Sequence, residues 1–234
     1  MTESSQGSLR EIGSGGIWVR ERDVWFSGVR LRSRMSVFRL ADGKLWVHST
    51  SGPTESLCAE LDRLGEVAWL IVPNRWHHLQ ANAMKARYPR AQVVAPTSAR
   101  VRNPTLPLDL AIDDARLPSL VPELAPIPLA GVPFLDETLF LHQPTQTLIG
   151  ADVMMCGCPA DHFTWRWASR ITGHWLKYGA PPDVRSHTRP GPELARCIAE
   201  LGALPIQRIL VAHSDPIEDR PAEQLREAWR FAAP

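Results

Sequence analysis

The chain has 234 residues, enough for one large domain or two small ones around a buried core. Hydrophobic residues make up 44%, charged residues 22%, and the net charge is +1, so a disordered chain is excluded and no nucleic-acid or acidic-membrane partner is expected. No apolar run reaches bilayer-spanning length, and the polar, Gly/Ser-rich start from Met1 to Gly16 lacks a secretory apolar segment, which makes the cytoplasm the expected location. Residues 1–15 read as a flexible tail and 16–234 as one domain.

The opening of that domain reads as β. Gly16–Arg20, Val24–Val29 and Ser36–Leu40 are short runs rich in β-branched and aromatic residues. An Asp-Gly turn at Asp42-Gly43 leads into Leu45–Ser49. Thr54 then suits the cap of a helix with Leu57, Leu61 and Leu64 on one face and Gly65 at its end. Strands and helices alternate from there: a strand over Val67–Val72, a helix over Leu79–Tyr88 and a strand over Ala91–Ala95. The Pro-rich stretch Val101–Pro126, with Asp109, Asp113 and Asp114, reads as a long surface excursion.

Thr138–His142 and Thr147–Ala151 flank the turn Gln143–Gln146. A helical insertion over about 156–190 follows, its main helix running from Asp161 to Tyr178 with Trp165, Trp167 and Trp175. Its tryptophans are expected to pack into a core while Arg166, Arg170, Lys177, Arg185 and Arg189 face water; a pocket wall or a homodimer contact are the alternatives. A helix from Pro192 to Leu201, a strand over Gln207–Ala212 and a helix over Pro221–Phe231 complete the chain. A β-rich opening, β/α alternation, a hairpin and a final β/α unit suggest two sheets packed face to face with helices outside, an α/β (α+β) class. Of four cysteines, Cys58 and Cys197 fall in helical patterns as small buried thiols, and only Cys156-Gly157-Cys158 forms a close pair.

Three apolar runs end in metal-ligating residue types: Leu70-Ile71-Val72 before His77-His78, Leu148 to Ala151 before Asp152, and Ile209 to Ala212 before His213. Carboxyl ends of neighbouring strands share an edge, so distant ligands converge there, and imidazole with carboxylate suits Zn²⁺ or Fe²⁺. At a strand-to-helix turn His77 and His78 need not point to opposite faces. Each residue alone has a bland reading as a cap or turn residue. Their joint placement points to a metal.

These segments resemble the metallo-β-lactamase superfamily over roughly Ser36 to Trp229. The resemblance is to an uncharacterised branch marked by Pro-Asn-x-x-His-His (Pro73 to His78) and Ala-His-x-Asp-Pro (Ala212 to Pro216). It implies an αββα four-layer sandwich with a metal site at one edge. The superfamily's His-x-His-x-Asp-His motif is degenerate here: Pro73 and Arg75 stand on its first two histidines, His77 on the aspartate and His78 on the last histidine. Val132, after Gly131, stands where a third imidazole is usual. The resemblance therefore implies one metal held by His77, His78, Asp152 and His213, with His48 supporting a ligand. His142 is a weaker candidate, and His162, His174 and His187 carry no expectation.

The leading expectation is a mononuclear metal-dependent hydrolase of an ester, thioester, lactone or phosphoester, with Zn the first expectation and Fe the second. Four tight ligands would suit a structural ion, so His78, Asp152 and His213 are the firmer set and His77 is an alternative general base. Arg75 is either an ordinary surface ion-pair group or a fixed positive charge for an anionic small-molecule substrate. A binding protein that has lost catalysis and a non-haem iron redox protein are the competing functions.

Overall fold

A computed structural model describes residues 7–232. Residues 1–6 of the expected tail lie outside this range, but the sheet begins within the remainder of it: β1 (Arg10–Glu11) pairs antiparallel with β2 (Ile17–Phe26), and Ile12 is buried. The chain divides into two compact units, one of residues up to Arg22 with Arg34–Glu123, the other of Asp23–Ser33 with Leu124 onward. No helix among the described residues is long and apolar enough to cross a membrane.

In the first unit, β1 and β2 are followed by β3 (Val29–Arg39) and β4 (Leu45–His48), α1 (Glu55–Leu64), β5 (Val67–Ile71) and α2 (Ala81–Arg87). Then come β6 (Gln92–Ala95), the single turn α3 (Ala99–Arg102), β7 (Leu110–Ala111) and the single turn α4 (Leu117–Leu120). The strands form a sheet in sequence order, with β4 through β7 parallel. The outer ends of β2 and β3 group with the second unit.

This hairpin turns within a run expected to be strand. The run Val24–Val29 is not one strand; Ser27 and Gly28 form its two-residue turn, with φ of 48° and 80°. Positive φ at both central residues matches strand twist, which is why short hairpins favour it. The aromatic run hid a Ser-Gly turn signal. The Pro-rich stretch also differs from a plain excursion. The Asp109 carboxylate accepts the Val93 N–H at 2.8 Å and pairs with Lys85 at 2.8 Å, so β7 adds to the sheet within it.

α1 forms as expected. The Thr54 side chain accepts the Leu57 N–H at 3.3 Å, and Leu57, Cys58 and Leu61 turn inward. They join Val37, Val47, Leu70, Met84 and Val93 in the first unit's core. At its end Gly65 donates to the Leu61 carbonyl, and a Cβ there would fall inside contact distance of the Gly43 carbonyl oxygen.

The second unit contains β8 (Leu124–Pro128), β9 (Thr138–His142), β10 (Thr147–Ile149), α5 (Phe163–Thr172), α6 (Pro182–His187), α7 (Pro192–Ala203), β11 (Arg208–Leu210) and α8 (Pro221–Ala228). Its sheet has the order β11-β10-β9-β8, antiparallel except for the parallel pair β10 and β11. The expected helix Asp161–Tyr178 stops at Thr172 because Gly173 adopts left-handed geometry and donates to the Ser169 carbonyl. Trp165 is buried, but Trp167 is 68% exposed, so the tryptophans of this helix are not all core residues. Trp175 lies under the Arg170 guanidinium, 3.4 Å from its ring centre.

Gly65→Ala is expected to destabilise the protein by about 1–3 kcal/mol, because the added methyl must push backbone aside. Denaturant unfolding of the variant reads this directly; an unchanged midpoint contradicts the close approach.

Candidate metal centre

In the second unit Asp152 and His213 meet through strand register. The parallel ladder pairs Ile149 with Leu210. It continues past both strands, with Gly150 N–H donating to the Leu210 carbonyl at 2.9 Å and Ala212 N–H to Ala151 at 3.0 Å. Three residues beyond that pair stand Asp152 and His213, and His213 Nε2 lies 3.0 Å from Asp152 Oδ1. Both side chains are largely buried, at 15% and 11% exposure.

The other face of the imidazole fixes its chemistry. His213 Nδ1 lies 2.5 Å from the Arg32 carbonyl oxygen, an obligate acceptor, so Nδ1 carries a hydrogen. In the neutral ring Nε2 then presents a lone pair to a carboxylate. A proton or a cation must sit between two such acceptors. Two ligands of one tetrahedral zinc, with bonds of about 2.0–2.2 Å, stand roughly 3.3 Å apart, close to the observed spacing. The donor set fits a divalent metal, and a carbonyl holding the distal ring nitrogen is a usual support for such an imidazole.

Arg32 is itself anchored. Its guanidinium bonds Asp161 at 2.7 Å, Asp215 at 2.6 Å and Cys158 Sγ at 3.4 Å. Burial opposes its charged form, but the Asp215 bond together with the Asp161 and Asp215 charges outweighs burial and raises its pKa. The loop carrying Asp152 is held by Glu137, a buried carboxylate that accepts the N–H groups of Ala151 at 2.5 Å and Asp152 at 3.0 Å. Gly150 is required beside it, since a Cβ would meet Leu139 at 2.6 Å and Val153 at 2.9 Å.

In the first unit the loop after β5 carries His77. Buried Asn74 accepts the N–H groups of Trp76 and His77 at 2.9 and 3.0 Å, curling the chain back. His77 Nδ1 lies 2.6 Å from Ser49 Oγ. Ser49 follows β4 in left-handed geometry, φ 55°, and donates its N–H to the Ile71 carbonyl. Ser49 thus lies within hydrogen-bonding distance of His77, and the neighbouring His48 stacks on Trp46 with ring centres 5.3 Å apart. The pKa of half-buried His78 is lowered by burial, then by the charges of Arg102 and His77. Arg102 stacks on Trp76, 3.4 Å from its centre. Arg75 is partly buried, makes no ion pair among the described residues, and has a buried Nε without a partner.

The remaining histidines divide as follows. His142 is buried, with Nδ1 2.7 Å from Thr145 Oγ1. His162 accepts at the start of α5, and His174 lies 2.9 Å from the Ala180 carbonyl through Nε2. His187 stacks on Phe134. Pro73 and Val132 are both buried and supply no ligand. No sequence pattern points to Glu137, Ser49 or the Arg32 carbonyl, which reach Asp152, His77 and His213 from 15, 28 and 181 residues away.

The model of a family described as Domain of unknown function (DUF4336) matches residues 14–137. No curated protein matches the chain in sequence. Among solved structures, a metallo-β-lactamase from Hirschia baltica is 10% identical with a TM-score of 0.63, covering 99% of both chains. The DIM-1 metallo-β-lactamase is 13% identical with a TM-score of 0.66, over 98% of this chain and 100% of that one. FIM-1 from Pseudomonas aeruginosa, in its mono-zinc form, is 10% identical with a TM-score of 0.64, over 100% of both. Likeness at such identities shows the fold, and it is the one the sequence motifs resembled.

Two outcomes test this geometry. Glu137→Gln is expected to cost about 1–3 kcal/mol and to weaken zinc binding about 10- to 100-fold, read by unfolding and by zinc titration; parental values contradict the support role. Burial and then Cys158 push the Cys156 thiol up to about 11. Alkylation of Cys156 is therefore expected to be slow at neutral pH and to accelerate toward that pH. Rapid neutral labelling contradicts it.

Proposed function

We propose that this chain, which belongs to the DUF4336 family and has the metallo-β-lactamase fold, is a hydrolase working with one divalent metal, zinc. The observation that carries the reading is the facing pair of Asp152 and His213, with the second imidazole nitrogen already committed to the Arg32 carbonyl. His77, from the His-His pair that the sequence motif singles out, is taken as the third ligand. Ser49 holds its Nδ1 as ligating imidazoles are commonly held, and half-buried His78 is the alternative ligand of the pair. Three protein ligands leave a position open, as catalysis requires; the sequence expectation also held three of its four candidates firm, with His78 in the place taken here by His77.

A bound ion supplies Lewis acidity and acidifies a water nucleophile. The chain's own groups do the rest. Asp152, His213 and His77 fix the ion's place; Glu137 and the Arg32 carbonyl keep two of those ligands from turning away. Arg75, which has no carboxylate partner among the described residues, offers fixed positive charge to an anionic ester, thioester, lactone or phosphoester. Pro73, Arg75 and Val132 offer no imidazole for a second ion. A mono-zinc form of FIM-1 has been crystallised, so the fold can accommodate one zinc alone.

Metal analysis of protein purified without added metal is expected to find one zinc per chain. Asp152→Asn and His213→Ala are expected to lose the metal and all hydrolysis in a screen of small esters, lactones and phosphodiesters. Arg75→Ala is expected to keep the metal but raise KM for anionic substrates about tenfold. Two tightly bound ions contradict the mononuclear reading, iron points to redox work, and an empty, inactive protein points to a binding role.

A further inference from the structure

The second unit exposes large apolar side chains in one place. α5 buries Trp165 and Ser169, while Phe163, Trp167 and Ile171 form an i, i+4, i+8 row that is 62%, 68% and 83% exposed. The tip of the β2–β3 hairpin adds Trp25 and Phe26, 65% and 44% exposed. Tip and helix are joined. The Trp25 ring meets His162 edge-on at 5.8 Å, His162 lies 4.4 Å from the Phe163 ring, and Arg30 N–H donates to Thr164 Oγ1 at 3.0 Å. Contiguous exposed aromatic groups of this kind mark interaction surfaces.

The exposed charges on α5 itself have one sign. From His162 to Pro182 the chain has no carboxylate, but it has Arg166, Arg170 and Lys177, all exposed, of which Lys177 pairs with Glu227 at 3.6 Å. Two acids flanking the tip and the helix are paired within the unit, Asp23 with Arg30 and Asp161 with Arg32. A net charge of +1 over the whole chain conceals this local excess.

We propose that this face docks on an anionic lipid surface, with Trp25, Phe26, Phe163, Trp167 and Ile171 entering the headgroup layer and Arg166 and Arg170 meeting lipid phosphates and carboxylates. Tryptophan favours the membrane–water boundary, and basic side chains beside an apolar row give anionic lipid its preference. The apolar groups stand on the outside of a helix and at a hairpin tip, so they protrude. A second copy of the chain is the poorer occupant, because twofold pairing brings the same guanidiniums against each other. This inference does not depend on the metal reading.

Full-length protein is mixed with vesicles of phosphatidylcholine alone or of equal parts phosphatidylcholine and phosphatidylserine, then sedimented, with tryptophan emission recorded. Binding to the phosphatidylserine vesicles, blue-shifted emission and weakening by salt are expected. The Trp25→Ala/Trp167→Ala variant should lose about tenfold in partitioning, and Ile171→Glu should lose a similar amount with circular dichroism unchanged. Arg166→Glu should weaken binding several-fold. Indifference to both vesicle types, equal binding to both, unaltered binding by these folded variants, or a solution dimer that Trp167→Ala disperses would each overturn the proposal.

Discussion

The parallel register of β10 against β11 is the constraint on which the chemistry rests. It sets Asp152 opposite His213, and no local choice of loop residue could do so alone. A slip of one residue would turn His213 to the other face of its strand direction and break the pair. Register is protected by burial, since Leu148, Ile149, Ile209 and Leu210 are all fully buried. The hydrophobic core thus specifies where an acid and a base stand.

Support for the pair comes from polar groups whose own partners are satisfied. Glu137 gathers the backbone of the Asp152 turn, Arg32 gives its carbonyl to His213, and two aspartates hold the Arg32 side chain. In the first unit Asn74 and Ser49 do the corresponding work for His77. A rigid ligand loses less freedom when a metal arrives, so such support raises affinity.

Much of this was legible in the sequence, and the reasons for the gaps are physical. Strand-end ligands are visible because an apolar run of fixed length stops at a polar residue. The α1 cap is visible because Thr54 and Gly65 act within one turn of the helix. Glu137 and Ser49 are invisible, since their roles come from pairings that the chain order does not encode. The hairpin turn at Ser27-Gly28 was hidden by flanking aromatics that favour strand everywhere. Trp165 and Trp167 have the same chemistry and differ only in helix phase, so composition alone assigned both to the core.

The most direct test of the account is histidine nitrogen NMR during a zinc titration. His213 is expected to keep its Nδ1 proton throughout, while its Nε2 resonance moves to a metal-bound position, complete at one equivalent. An Nε2 resonance that zinc leaves untouched, or changes that continue to a second equivalent, would contradict it.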